Sequence, residues 1–315
     1  AYLRLEDTDH ILIARPLYHC AVLTGEFLFS LLRGVKITFT EAGFNPARLS
    51  RLISRGRITV LGGTPTLFYH LSGLIRRSGK APLRVMAVSG ECMTRTVAEE
   101  MRGAFPQTLI YHVYGLTEAS PRAAWLPPEQ FDDAPLSVGR PLDSLRARIV
   151  DGELQLAGPS IMKGYYKMPE ATAAVMDGDW FNTGDLGFLD PDGWLYLTGR
   201  KKNVIVTKNG ENIYPEEIEI IVNNHPFISD CMVYAAQKDG SDIVAVQIIP
   251  NMENIMSKLG KEPTPEELQK LMKNIIGDIN ETMSSYKRIR SIVIRKEDFV
   301  RTTTKKIIRK DNIES

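Results

Sequence analysis

Cysteine is scarce, with three residues among 315. Cys20, Cys92 and Cys231 are far apart and odd in number. That excludes a disulfide framework and a cysteine-rich zinc pattern, and it suits reduced thiols in a cytoplasmic protein. Long apolar runs are also lacking, so no transmembrane segment is expected. The first residues do not show the basic-then-apolar pattern of a signal peptide. Neither sign of charge is in excess: 39 Lys and Arg against 38 Asp and Glu leave a net charge of +1. The overall balance therefore gives no reason to expect a nucleic-acid or membrane partner. No internal repeat or low-complexity segment stands out. An initiator Met is missing too, and Ala1-Tyr-Leu-Arg reads as mid-domain sequence, as in a fragment or a processed piece.

What is present is an ordinary globular composition, 43% apolar and 24% charged, in a chain long enough for about two domains. The first part alternates short apolar runs with helical patterns. Strands are expected at Arg57 to Leu61, Leu83 to Val88 and Leu109 to Val113, and helices at Leu67 to Ile75 and Thr94 to Phe105. Such alternation predicts a parallel α/β sheet, whose ligands bind beyond the carboxyl ends of the strands. From about Pro135 short strands alternate with Gly, Pro and Asp turns, at Ala147 to Val150, Glu153 to Leu156 and Trp194 to Leu197, as in an antiparallel or barrel-like region. A third texture begins near Arg200. Pro215-Glu216-Glu217 opens a helix. Cys231 to Ala236 and Ile243 to Ile249 flank a hairpin turn, and Thr264 to Glu267 is a capping box before an apolar stripe that reads as core. The fold class is thus α/β: a parallel α/β subdomain (about 1–134), a small β-barrel-like region (about 135–199), then a separate small α+β C-terminal domain (200–315).

Four blocks carry candidate chemistry. Tyr114-Gly-Leu-Thr-Glu118 directly follows a strand. Gly115 allows a tight turn or a close approach, and Thr117 with Glu118 suits a phosphate and its Mg²⁺; a capped loop fits the pentapeptide equally well. In Trp180-Phe-Asn-Thr-Gly-Asp185-Leu-Gly187, a carboxylate after Gly184 in a turn can accept two ribose hydroxyls, or make an Asx-turn between strands. The segment from Gly199 to Glu219 is polar and basic, fit for a hinge and anion contact or for a solvated linker. Lys287 to Lys310 holds ten basic residues and two acidic ones, including Arg301-Thr-Thr-Thr-Lys-Lys306. Three hydroxyls beside two ammonium groups suit a phosphate; a lone basic tail is more often a solvated face.

In this order the blocks resemble the AMP-forming adenylating superfamily of acyl-CoA synthetases, adenylation domains of peptide synthetases and luciferases. Gly164-Tyr-Tyr-Lys-x-Pro-Glu170 and Gly193-Trp-Leu-Tyr-x-x-Gly-Arg200 join them at family-like spacing, as does Lys208-Asn-Gly-Glu-Asn-Ile-Tyr-Pro-Glu-Glu-Ile-Glu219. The resemblance covers essentially the whole chain. Gly-Arg-Lys-Lys-Asn-Val-Ile-Val-Thr-Lys-Asn-Gly and the C-terminal Thr-Thr-Thr-Lys-Lys look most like bacterial fatty or long-chain acyl-CoA synthetases.

The resemblance implies ATP-dependent activation of a carboxylic acid to acyl-AMP, followed by transfer to a thiol, usually that of CoA, after the small domain rotates. It implies that Ser89, Gly90 and Glu91 with Tyr114 and Gly115 border adenine, and that Asp185 holds the ribose with help from Arg200. Thr117 and Glu118 would meet phosphate and Mg²⁺, Glu118 being the metal ligand. Lys306 would bridge acyl carboxylate and α-phosphate. Lys201 would be the hinge; Lys208, Gly210 and Glu211 would face the thiol. His19, with Gly115, matches the acyl site, although a lone His in an apolar segment also fits a core position.

Two features depart from the pattern. The Ser/Thr/Gly-rich phosphate loop of the family is not in these residues, and Lys305 stands where Gly is usual. Peptide-synthetase domains for α-amino acids usually carry an Asp just after the aromatic residue matching Tyr18, to pair the amino group; this sequence has His19-Cys20 there, and an unpaired ammonium in an apolar pocket is costly. A fatty or aryl acid is therefore expected. Two other readings remain: a non-catalytic remnant that binds nucleotide or acyl-adenylate, and an adenylation domain that loads a carrier protein.

Overall fold

Four buried apolar runs, His10–Ile13 (β1), Val60–Gly63 (β3), Val85–Ser89 (β4) and Leu109–Tyr114 (β5), build the centre of one sheet. Runs this uniformly buried belong in parallel sheets covered on both faces. The computed structural model describes residues 3–40, 45–78, 83–207, 210–238, 241–302 and 307–313. The chain divides into two compact units, Ala1–Thr198 and Gly199–Ser315.

In the large unit the sheet order is β2-β1-β3-β4-β5-β6-β7, with Lys36–Phe39 as β2, Ala124–Leu126 as β6 and Arg140–Pro141 as β7. The strands β2, β1, β3, β4 and β5 are parallel, β6 runs antiparallel to β5, and β7 runs antiparallel to β6. Helices Pro46–Gly56, Pro65–Ser78 and Arg95–Ala104 connect the parallel strands. Asn45 and Thr94 start two of them, each accepting a bond from the backbone N–H three residues on, as N-caps do. The sequence places a strand from Arg57, but β3 begins at Val60. Arg57 instead ends the first of these helices in the left-handed region, at φ 51°, the usual way to terminate a helix.

A second, antiparallel sheet has the order β10-β11-β9-β8, formed by Arg146–Val150 (β8), Glu153–Ala157 (β9), Met176–Asp177 (β10) and Trp180–Leu189 (β11). Leu195–Arg200 (β12) pairs with β11.

The small unit is α+β. After the short pair Ile205–Val206 (β13) and Asn212–Ile213 (β14), Ile228–Lys238 (β15) pairs antiparallel with Ser241–Pro250 (β16), and Ser291–Ile294 (β17) lies parallel to β16. Helices Pro215–Asn223, Met252–Leu259 and Pro265–Glu281 complete it. Both bonds of the Thr264–Glu267 capping box form. The apolar stripe behind the box packs as core: Met272, Ile275 and Met283 are buried, with Leu268, Leu271 and Ile279 against them. Among the described residues no helix is long and apolar enough to cross a membrane.

Candidate functional site

Parallel pairing of β4 with β5 sets Ser89 opposite Val113. The Ser89-Gly90-Glu91 loop and the Tyr114 to Glu118 loop therefore leave the sheet side by side at its carboxyl edge. Tyr114, nearly buried at the end of β5, donates its hydroxyl to Asp185 Oδ2 at 2.6 Å. That bond spans 71 residues of sequence and brings the two sheets of the large unit together at one point.

Asp185 does not sit in a turn, as its sequence suggests, but inside β11. The pairing of β11 with β9 is irregular between Asn182 and Leu186, and Gly184 there adopts φ 72°. The irregularity is held on every side. Gly184 N–H donates to Glu153 Oε1 at 2.9 Å, Asp185 N–H to Thr183 Oγ1 at 3.1 Å, and the Thr183 hydroxyl to the Leu154 carbonyl at 2.7 Å. Across the irregularity Phe181, Thr183 and Asp185 keep the alternation of β11 and are buried in turn, and the Asp185 carboxylate meets Tyr114.

Gly115 is fixed by a close approach of backbone to backbone. A Cβ there would lie 1.8 Å from the Pro121 carbonyl oxygen, so the chain can double back only over glycine. The return makes a short 3₁₀ turn, Thr117–Ala119. Glu118 Oε1 accepts from the Tyr165 hydroxyl at 2.9 Å, and the Glu118 carbonyl accepts from Met162 N–H at 2.8 Å. Thr117 Oγ1 lies 3.4 Å from Cys20 Sγ. The Pro16 to His19 segment therefore reaches the same edge. His19 precedes the helical run that begins at Cys20, and its carbonyl accepts from Val22 and Leu23.

Glu91 is engaged locally: its Oε2 accepts from the Thr66 hydroxyl at 2.6 Å and from Thr66 N–H at 3.2 Å, at the start of helix Pro65–Ser78. Ser89 Oγ lies 3.5 Å from Arg15 Nη1. No group of three or more His, Cys, Asp or Glu able to hold a metal occurs among the described residues. Glu118, with one oxygen steadied by Tyr165, offers a single carboxylate, and a Mg²⁺ held there would draw its other ligands from phosphate and water.

The remaining candidates belong to the small unit or to its boundary. Arg200 closes β12, and Lys201 opens the 3₁₀ turn Lys201–Asn203. Gly210 takes φ 80° in open space. Its N–H donates to the Thr207 carbonyl at 2.9 Å, and Glu211 N–H donates to Thr207 Oγ1 at 3.1 Å. These bonds tie Gly210 and Glu211 back to Thr207. Lys208 and Lys306 themselves lie outside the described residues.

Sequence reasoning missed the partners that hold these groups. Tyr165 stood in a motif with no role attached. Arg15 and Glu26 form a largely buried ion pair beside Ser89. A Cβ on Gly62 would lie 2.2 Å from Glu26 Oε1, so Gly62 leaves the pair its room. Glu26 lies in a π-helical turn, Leu23–Leu28. The available signal was one Arg and one Glu, eleven residues apart, each in an otherwise apolar stretch. His112, on the same strand as Tyr114, is fully buried. Burial pulls its pKa down from 6.5 to about 4, with backbone groups of Ser137 and Pro135 pulling weakly the other way, so it is neutral at pH 7.

A family model for the AMP-binding enzymes matches residues 1–166, and one for the AMP-binding enzyme C-terminal domain matches residues 202–315. The 2-succinylbenzoate–CoA ligase of Bacillus velezensis is 33% identical over 248 residues, 75% of this chain and 49% of that protein. An acyl-CoA ligase of Aspergillus fumigatus is 30% identical over 296 residues, 87% of this chain and 49% of that one. A feruloyl-CoA synthase from Amycolatopsis is 31% identical over 245 residues, 73% and 48%. This chain spans about half the length of the curated relatives it matches. Among solved structures, an O-succinylbenzoate–CoA synthetase of Bacillus subtilis in complex with ATP and magnesium superposes with a TM-score of 0.75. It is 25% identical, and the match covers 98% of this chain and 62% of that one. An anthranilate–CoA ligase in complex with anthranoyl-AMP gives a TM-score of 0.80 at 23% identity, over 98% and 60%; at that identity the likeness is one of fold.

Proposed function

Because the chain belongs to the AMP-binding enzyme family, we propose that the protein carrying it activates a carboxylic acid with ATP and passes the acyl group to the thiol of CoA. In the first step a carboxylate oxygen attacks the α-phosphorus, the bond to the β-phosphate breaks, and acyl-AMP and pyrophosphate result. In the second, the thiol sulfur attacks the acyl carbon, its proton is lost, and AMP leaves. Little of this asks the protein for covalent chemistry. It asks for placement and for relief of charge repulsion.

The observation that carries the reading is the Tyr114–Asp185 bond at the carboxyl edge of the parallel sheet. An aromatic ring and a buried carboxylate side by side suit a nucleoside: adenine lies along Tyr114, Gly115 and the Ser89-Gly90-Glu91 loop, and Asp185 accepts the ribose hydroxyls, with Arg200 in support. Thr117 binds phosphate, and Glu118 holds the Mg²⁺ that neutralises phosphate charge. The acid lies toward His19 and Gly115. Lys306 supplies the cation between carboxylate and α-phosphate. Lys201 is the hinge about which the small unit turns, and Lys208, Gly210 and Glu211 face CoA in the second step.

The acid is aryl in preference to fatty. Two of the three curated relatives named above are a 2-succinylbenzoate–CoA ligase and a feruloyl-CoA synthase, and no Asp follows Tyr18 to pair an α-amine. Pyrophosphate release by the full-length protein, with ATP, CoA and a panel of aryl, fatty and α-amino acids, tests this. Release with aryl acids and not with α-amino acids is the expected pattern. A preference for an amino acid overturns the substrate class, and no release with any acid overturns the activity.

A further inference from the structure

Lys306 lies outside the described residues, but the chain is described on both sides of it, through Val300 and Arg301 before it and from Ile307 and Ile308 after it. These two arms are paired: Arg301 and Ile307 form an antiparallel bridge, and Ile308 N–H donates to the Val300 carbonyl at 2.9 Å. Asn312, itself buried, binds both arms. It accepts from Val300 N–H at 2.9 Å and donates to the carbonyls of Val300 at 3.0 Å and Ile308 at 2.8 Å. Its own carbonyl accepts from Gln247 Nε2 on β16 at 2.7 Å. The outgoing arm is tied to the start of β15 by an ion pair between Arg301 and Asp230.

The returning arm is tied more deeply. Arg309 Nη1 donates to the Val233 carbonyl at 2.5 Å, and its Nη2 donates to Glu219 Oε2 at 2.8 Å. Glu219 Oε1 accepts from Val233 N–H at 2.7 Å. The sheet order β15-β16-β17 leaves β15 at an edge. Both peptide groups of Val233 are taken there by one acidic and one basic side chain, as a neighbouring strand would take them. Arg309 Nη2 also lies 3.5 Å from Glu216 Oε1, an oxygen that accepts from Asn203 Nδ2 at 2.5 Å. The chain of contacts thus runs from the turn at Lys201–Asn203, through helix Pro215–Asn223, to the arm three residues past Lys306. Burial pushes the Glu219 carboxyl up while Arg309 draws it down. A charge in such surroundings keeps its place only with its partner present.

We propose that Arg309 and Glu219 are positioning residues for the acyl-AMP-forming step: their ion pair on the β15 edge holds the base of the Lys306 segment at one angle. The proposal rests on the reading of Lys306 given above. A cation that must meet two anions at hydrogen-bond distance loses much of its effect when displaced by an ångström, about 10²-fold for the reaction it assists. The small unit's other candidate groups, Gly210 and Glu211, are held by Thr207, so they keep their geometry when the pair is broken.

The test uses the full-length protein and separates the half-reactions in single-turnover assays. Acyl-AMP formation is followed by pyrophosphate release, and thioester formation is started from supplied acyl-AMP. Arg309→Met is expected to slow the first about 10- to 100-fold and to leave the second within about twofold. Arg309→Lys, which keeps one charge contact with Glu219 but not the fork to Val233, is expected to fall between. If Arg309→Met does not fold, Arg309→Lys and Glu219→Gln at a thermal midpoint close to wild type carry the same expectation. Equal loss in both half-reactions, or wild-type rates in both, overturns the proposal. Lys306→Ala run in parallel keeps the two readings apart: if it leaves acyl-AMP formation intact, the assignment of Lys306 has failed and the positioning role fails with it. If it cripples that step while the Arg309 and Glu219 variants do not slow it, only the positioning role is lost.

Discussion

The two units hold their candidate groups by different means. In the large unit the backbone sets the places, and side chains such as Tyr165 on Glu118 steady them. Parallel register sets the Ser89 and Tyr114 loops side by side, the alternation of β11 aims Asp185, and Gly115 lets the chain double back against Pro121. In the small unit the strands are a platform, and side chains moor the functional segments to it: Arg309 to Glu219 and Val233, Asn312 to both arms of the Lys306 segment, Thr207 to Gly210 and Glu211. Groups fixed by a sheet edge cannot be loosened without cost to the fold. Groups moored by side chains can be loosened one at a time. That difference suits the function proposed above, a rigid nucleotide site served by loops that each act in one half-reaction.

The comparison is broken most severely at Arg15 and Glu26, a largely buried ion pair beside Ser89 in the large unit. Glu26→Ala leaves Arg15 uncompensated, and a loss of about 3–5 kcal/mol in unfolding free energy is expected. A denaturant midpoint shifted by less than a third of that would show the pair to be no part of the large unit's frame. In the small unit, Lys306→Ala should cost acyl-AMP formation about 10²–10³-fold while thioester formation from supplied acyl-AMP stays near wild type. Gly210→Ala, which forces a side chain into φ 80°, should do the reverse. Rapid-quench assays of the two half-reactions decide, and near-normal rates in both would return Lys306 to a solvated basic tail.

A pH series sharpens the large unit's share. Because His112 titrates near 4 when folded and near 6.5 when unfolded, the unfolded chain binds the extra proton between those values. Stability from this group is complete above about pH 6.5 and falls by about 3 kcal/mol as pH drops to 4. Urea midpoints followed over that window should drop less steeply for His112→Phe. Parallel slopes would mean that His112 is not the group responsible. The smallest effect is expected at Asp185. A carboxylate accepting ribose hydroxyls contributes roughly 1.5–3 kcal/mol, so Asp185→Ala should weaken AMP binding about 10- to 100-fold by calorimetry, and an unchanged affinity would remove it from the site.

The α/β class was legible because continuous apolar runs such as Val85 to Val88 have few other places to go than a covered parallel sheet. The helix behind Thr264 was legible because its cap and its stripe agree. Motif spacing made Tyr114, Glu118 and Asp185 candidates. What it could not supply was the way they are held. Nothing local in the sequence says that Asp185 sits inside a strand whose pairing is interrupted, with Glu153 reaching Gly184 from the neighbouring strand. The same holds for Tyr165 on Glu118 and for Arg309 on Glu219, pairs separated by 47 and 90 residues. Side chains that meet only through tertiary structure leave no spacing to read. Arg57 was lost to a different cause: a helix end that needs a left-handed residue outweighed a short apolar run.

The central claim is that a carboxylate oxygen attacks the α-phosphorus of ATP. It is tested most directly by following that oxygen. The full-length protein is supplied with an aryl acid carrying ¹⁸O in both carboxylate positions, ATP and CoA, and the AMP, pyrophosphate and thioester are analysed by mass. The account predicts one ¹⁸O atom in AMP, one in the thioester and none in pyrophosphate. Label in inorganic phosphate, or ADP in place of AMP, would mean that the acid is activated at the terminal phosphate, and would contradict it.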